Sequence, residues 1–260
     1  MQKKYFQKLF CLSSFSISLL FLGGNFFVIA GGIDIDRLKQ LKAQNSPAFK
    51  NVAKAVLEAA EYSTARPIQR SKLPGPYRFY LEAGASATDI KDQSIALVSK
   101  PDGNGDRFAP DGYESFFGKA GVGLPYGFVV EAGTSYVFKE HKIGSLFGNI
   151  AIQAFDFDRY IVTDMIPAIA LGTSFNWSYT GPRILTTGGT LVAGAYHRFL
   201  FAQISYILQF SYSMLRTPNY NSIFIRHGIS SYWPLFEGLY VSTEIYYKPV
   251  QVGLVAGYQF

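Results

Sequence analysis

From Tyr77 to Phe260 apolar and polar residues alternate with a period of two. Tyr77, Phe79, Leu81, Ala83, Ala85 and Ala87 interleave with Arg78, Tyr80, Glu82, Gly84, Ser86 and Thr88. The same alternation recurs over 127–138, 199–212 and 249–260. Such dyads mark strands with one apolar and one polar face. The pattern predicts ten strands: 77–88, 116–125, 127–138, 144–155, 166–178, 185–197, 199–212, 222–233, 237–247 and 249–260. Soluble strands run about 5–6 residues, whereas strands that cross a bilayer at a tilt need about 9–11. The predicted segments have the second length. A soluble periplasmic β domain is the weaker alternative, because it would need shorter strands.

The connections point the same way. With the chain's N-terminus in the periplasm, connections on that side centre on Pro125-Tyr126-Gly127, 156–165, His197-Arg198-Phe199 and Pro234-Leu235-Phe236. The outer ones are 89–115, 139–143, 179–184, 213–221 and the neighbourhood of Lys248, the longest being polar and rich in Gly and Asp. Short periplasmic turns and longer outer loops are the outer-membrane pattern.

Residues 34–65 have a different period. Ser46 is placed to cap a helix with Pro47 in its first position. Phe49, Val52, Ala53, Val56, Leu57 and Ala60 then form one apolar stripe, with Lys50, Lys54, Glu58 and Glu61 off it. The stripe must be buried on the barrel mouth, the lumen, the membrane surface or a partner. Pro67, Pro74, Gly75 and Pro76 punctuate the linker that follows. The division is therefore 1–30, 31–76 as a helical segment and linker, periplasmic or plugging, and 77–260 as the barrel.

Residues 1–30 have the layout of a secretory leader. Lys3, Lys4 and Lys8 precede an apolar stretch from Leu9 to Leu22, and Val28 and Ala30 suit cleavage before Gly31. An uncleaved anchor helix is the competing reading, weakened by Gly23, Gly24 and Asn25. Cys11 is the only cysteine and lies in the leader, so the exported chain has no disulfide, thiolate metal site or cysteine nucleophile.

Composition narrows the class further. Charged residues are 16% and aromatic residues 17% of the 260, against about 25% charged in average globular chains. The net charge of +6 shrinks once the leader's lysines are removed, and no dense basic block occurs, which argues against nucleic acid as a partner. Aromatics gather at strand ends, as in Tyr136/Phe138, Trp177/Tyr179 and Tyr232/Trp233. Amphipathic rings favour the interfacial levels of a bilayer. The last strand ends Gly257-Tyr258-Gln259-Phe260.

With this ending the chain resembles bacterial outer-membrane β-barrel proteins. The resemblance implies an all-β, antiparallel, up-and-down transmembrane barrel of about ten strands in contact with outer-membrane lipid. It also implies that Tyr258 and Phe260 belong to the signal read by the barrel assembly machinery.

The inward face carries Arg78, Glu82, Lys119, Glu131, Arg226 and Glu244, three of each sign. A hairpin centred on Leu235 would set Arg226 opposite Glu244, and one centred on Tyr126 would bring Lys119 near Glu131. Balanced pairs brace a narrow interior, whereas a selective pore shows a surplus of one sign. Small inward residues such as Gly121, Gly123 and Gly172 leave room for water, a ligand or the helix.

Signals for catalysis are weak. His141 falls in an outer loop, His197 in a turn, and His227 stands on the opposite strand face from Ser230. Asp156 and Asp158 share a face without a nearby histidine. Asp102-Gly103-Asn104-Gly105-Asp106 lacks the downstream glutamate of a calcium loop. The expectation is a non-enzymatic barrel without cofactor or metal, a small passive channel or a structural protein. The alternatives are a barrel that binds a ligand or another cell through its lumen or loop 89–115, and an outer-membrane lipid-modifying enzyme or protease. A small solute or surface ligand is the candidate cargo.

Overall fold

In a computed structural model the described residues are 33–64, 67–89, 93–98, 113–137, 143–158, 162–247 and 250–260. Residues 1–32 with Cys11, and also His141, Lys248 and the Asp102–Asp106 run, lie outside them, as does most of loop 89–115. Ten strands close into one antiparallel barrel, each paired with its chain neighbours and β1 with β10. They are β1 (Phe79–Asp89), β2 (Tyr113–Gly123), β3 (Phe128–Val137), β4 (Gly144–Asp156), β5 (Met165–Ser178), β6 (Ile184–His197), β7 (Gln203–Leu215), β8 (Tyr220–Phe236), β9 (Leu239–Tyr247) and β10 (Val250–Gln259). Closure leaves no strand edge unpaired, which a non-aqueous surround demands. The seam is finished by Phe260, whose N–H donates to the Phe79 carbonyl at 2.9 Å and whose carbonyl accepts from Phe79 N–H at 3.1 Å.

The two faces of the wall follow the dyad pattern. Leu81, Leu146, Ile150, Leu171, Ile204, Ile229 and Leu254 point outward and are exposed, with Leu254 58% accessible. Serine, glutamine and charged residues alternate with them and point inward, where they are buried. Phe79 stacks on Phe260 at 6.2 Å and Tyr258 on Phe260 at 6.0 Å, placing rings at the rim where β1 begins, here the lower rim. Trp177, Tyr179, Tyr212 and Tyr247 stand exposed toward the upper rim. Among the described residues no helix is long and apolar enough to cross a membrane.

The turn between β8 and β9 departs from the sequence expectation. β8 runs through Pro234 to Phe236, and the chain reverses at Glu237 and Gly238, with φ of 42° and 86°. Two successive positive φ values match the twist of a two-residue hairpin. Pro234 is accommodated beside a bulge between Pro234 and Phe236, a place where a missing N–H is tolerated. The hairpin centre moves from 235 to 237, and each cross-strand partner moves by four residues. The expected Arg226–Glu244 pair is thereby corrected: Glu244 faces Ser230.

The N-terminal segment contains two helices among the described residues. Helix α1 (Ile35–Ala43) is capped by the Asp34 carboxylate, which accepts from Arg37 N–H at 3.0 Å. Helix α2 (Ala48–Thr64) follows a short turn. Both pack at the upper rim, opposite the rim at which β1 starts. Leu38, Leu41, Val52, Val56 and Leu57 join the inward-facing Tyr113, Val137, Ile184, Leu215 and Phe224 in one buried cluster. The inward positions at the upper strand ends are apolar and complete the α2 stripe. The chain then descends the lumen through residues 67–73 and leaves at the lower rim. There Gly75 lies against Gly123, where a Cβ on Gly123 would come within 2.0 Å of the Gly75 carbonyl oxygen.

Candidate functional site: the plugged lumen

The descending linker is held by its backbone. Gln153 Oε1 accepts from Leu73 N–H at 2.7 Å while its Nε2 donates to the Ser71 carbonyl at 2.8 Å. The Gln203 amide does the same to both backbone groups of Lys72, at 3.1 Å each. Ser205 Oγ accepts from Ser71 N–H at 3.1 Å, and Ser230 Oγ donates to the Gln69 carbonyl. These side chains act as strand partners for an extended segment that has no sheet of its own, as buried peptide groups require. Ile68 and Leu73 fill the spaces between Val129, Ala151, Ala170, Val192 and Ile207.

Charge is concentrated in the middle of the lumen. Arg70 reaches Glu82, and its guanidinium carbon lies 4.3 Å from the ring centres of both Tyr232 and Tyr240. Glu82 also accepts from Tyr240 Oη at 2.5 Å and faces Lys119 Nζ at 2.9 Å. Lys119 bonds Glu131 at 2.9 Å, and Glu131 accepts further from Tyr80 Oη at 2.6 Å and Asn149 Nδ2 at 2.7 Å. Tyr80 can lie flat because its cross-strand neighbour is Gly121, where a Cβ would meet the ring at 2.2 Å. Arg70 and the strand charges form one chain of alternating sign, buried throughout. Such a chain is stable only when every member is paired.

A second network ties α2 to the wall. The Glu61 carboxylate accepts from Ser211 Oγ at 2.6 Å and Ser213 Oγ at 3.1 Å. Arg226 donates to the Glu61 carbonyl at 3.3 Å and to Gln251 Oε1 at 2.7 Å, and lies 4.1 Å from the Tyr246 ring centre. At the lower mouth Lys72 pairs with Asp156, which also accepts from Tyr196 Oη at 3.0 Å. Arg198 Nε bonds Asp158 at 3.0 Å. The cavity left beside Arg70, Tyr80, Glu82 and Lys119 is about 10 Å³, room for one water.

Of the six lumen charges expected from sequence, Glu82, Lys119, Glu131, Arg226 and Glu244 are buried inside. Arg78 is corrected: it lies exposed before β1, level with the lower-rim turn, and its carbonyl accepts from Gly123 N–H. Glu244 is bonded by Gln69 of the linker. The sequence reading missed Arg70, Gln69 and Glu61, which come from the plug. Glu61 looks solvated on a helical wheel, and only the serines of β7, at alternate positions 211 and 213, could have announced a buried partner.

The remaining candidates are dispersed. His227 faces outward between Tyr206 and Tyr247, with ring centres 6.2 and 5.6 Å away. His197 Nδ1 accepts from Leu200 N–H at 3.1 Å. Asp156 and Asp158 serve the lower ion pairs. Among the described residues no group of His, Cys, Asp and Glu could hold a metal ion.

A closed, even-stranded antiparallel wall, apolar outside and polar within, decides the class. The fold is that of bacterial outer-membrane β-barrels. No protein-family model matches the chain, and no curated protein matches it either. Solved structures similar to it include an outer-membrane channel from Pseudomonas putida F1, at 8% identity and TM-score 0.42, covering 75% of this chain and 100% of that one. The β domain of the Bordetella autotransporter BrkA is 10% identical with TM-score 0.37, covering 71% and 98%. The N-terminal barrel of Pseudomonas aeruginosa OprF is 13% identical with TM-score 0.32, covering 72% and 100%. Likenesses this distant carry no argument about activity.

Proposed function

We propose that the protein is a porin-like barrel of the outer membrane, exported by a leader that is cleaved before Gly31. Its N-terminal segment closes a narrow path for small solutes. The observation that carries this is that residues 33–64 pack at the upper mouth and residues 67–76 run through the lumen to the lower one. Within the barrel, residues 69–73 are tied to the wall by hydrogen bonds that can be exchanged for water if the segment moves. The exposed apolar band supports contact with outer-membrane lipid. The terminal Tyr258 and Phe260 support recognition by the barrel assembly machinery. Lys72 and Asp156 at the lower mouth are more exposed than Arg70 and Glu82, the ion pair deeper between plug and wall, and form the first latch to open.

Planar-bilayer recording tests this. The chain 31–260 gives rare, brief openings. Lys72→Ala combined with Asp156→Ala raises the open fraction several-fold without changing step size. Silence in both proteins, each heat-modifiable on gels, would sink the channel reading. The density of the lumen packing would then favour a structural or ligand-binding barrel.

A further inference from the structure

The upper rim between β5 and β8 carries an arrangement of cations that the plug does not use. Arg183 precedes β6 and Arg216 follows β7. They continue the β6–β7 ladder one step beyond Ile184 and Leu215, and Arg216 N–H donates to the Arg183 carbonyl at 3.0 Å. The two arginines are therefore directly opposed on neighbouring strands, both exposed. Like charges at directly opposed positions are destabilising. No compensating carboxylate is available nearby in the chain: residues 165–236 contain no Asp or Glu.

Their height on the barrel matters. Both occupy outward positions at the level of the upper aromatic girdle: the registers set Tyr179 level with Arg183, Trp177 two residues lower on β5, and Tyr212 four residues below Arg216 on β7, all three rings exposed. Rings at this level mark the border between hydrocarbon and headgroups, so the arginine pair sits at headgroup depth. Lower on the outer wall, and to the β3 side of the pair, lies a groove of about 390 Å³ across β3–β6, lined by Val130, Gly148, Ile150, Thr173, Phe175 and Thr187. The groove exists because Gly148 leaves open space between larger neighbours: a Cβ there would meet nothing nearer than 3.6 Å. Thr187 lies about 13 Å below Arg183 along β6 at the usual strand rise.

The geometry points to a binding site for one anionic lipid of the surrounding leaflet, with its headgroup phosphate between Arg183 and Arg216 and an acyl chain in the groove. Guanidinium groups suit this role because their planar donors bind phosphate oxygens in pairs. The anion removes the repulsion between the two cations, and the groove adds apolar contact that a free phosphate ion cannot make. This inference rests on the barrel being embedded in lipid, and the test separates the two claims.

The chain has two tryptophans, Trp177 beside the site and Trp233 toward the opposite rim. Two single-tryptophan chains, Trp233→Phe and Trp177→Phe, are reconstituted in phosphatidylcholine vesicles with small amounts of chain-brominated phosphatidylglycerol or brominated phosphatidylcholine. Phosphatidylglycerol quenches Trp177 with at least about tenfold preference, the size expected of one to two charge-assisted hydrogen bonds. It shows no preference at Trp233, and inorganic phosphate does not compete. Arg183→Gln with Arg216→Gln abolishes the preference at Trp177. Equal quenching of Trp177 by both lipids overturns the site, as does a preference that survives the double substitution. Absence of quenching at Trp233 by either lipid overturns the membrane reading itself.

Discussion

Replacing Glu82 by glutamine lowers the stability of the folded barrel by about 3–5 kcal/mol, the cost of breaking a buried ion pair by removing one partner. Glu82 is the single carboxylate shared by Arg70, Lys119 and Tyr240. Glutamine has nearly the same volume, so packing is conserved and the loss is electrostatic. Lys119 keeps Glu131 at 2.9 Å, whereas Arg70 is left with aromatic faces and no charge partner among its named contacts. The damage is therefore concentrated on the plug. Adding Arg70→Met to Glu82→Gln recovers part of the loss, because contacting residues are non-additive and the stranded charge is gone. Urea unfolding in detergent micelles measures both proteins. A loss below about 1 kcal/mol, the worth of an exposed pair, would contradict the burial of this network.

Excising residues 33–73 produces the largest functional change: a barrel that refolds, remains heat-modifiable and conducts in steady steps. Eight strands leave an interior just filled by side chains, and ten leave slightly more. Here that surplus is occupied by Ile68, Arg70, Leu73 and the backbone around them. With the plug gone, the buried wall charges among the described residues are Glu82, Glu131 and Glu244 against Lys119 and Arg226. A surplus of one carboxylate predicts a mild cation preference, measured as a reversal potential in a salt gradient. A folded, excised barrel that stays silent would mean that the wall itself closes the path.

The barrel was legible because its signal is repeated in every strand. Residues such as Leu208 and Gln209 announce their faces by parity alone, and tight turns such as Pro125–Gly127 mark the reversals. Register was less legible. Pro234 reads as a turn, yet a bulge lets it sit in β8 and hands the reversal to Glu237-Gly238. Arg226 and Glu244 were misplaced for that reason. The lumen site was half legible: Glu82, Lys119 and Glu131 follow from parity and hairpin arithmetic. Arg70, Gln69 and Glu61 do not, because nothing in a one-dimensional pattern says that a linker passes through the barrel it precedes. Glu61 lies off its helix's apolar stripe, and its burial depends on β7, 148 to 152 residues away.

Everything proposed for the lumen depends on residues 67–73 running inside it, and a disulfide tests that directly. Ser71 N lies 3.1 Å from Ser205 Oγ, and from Gly31 onward the chain has no cysteine to compete. Ser71→Cys with Ser205→Cys is oxidised in the folded state, then cut by cyanogen bromide after Met165 and Met214, so that the fragments ending at these two methionines carry one cysteine each. The control replaces Ser205→Cys by Ile204→Cys, one residue away on the outer face. A threaded linker leaves the two fragments joined without reductant in the 71/205 protein and separate in the 71/204 protein. Fragments that separate in both, or stay joined equally in both, would place the linker outside the lumen.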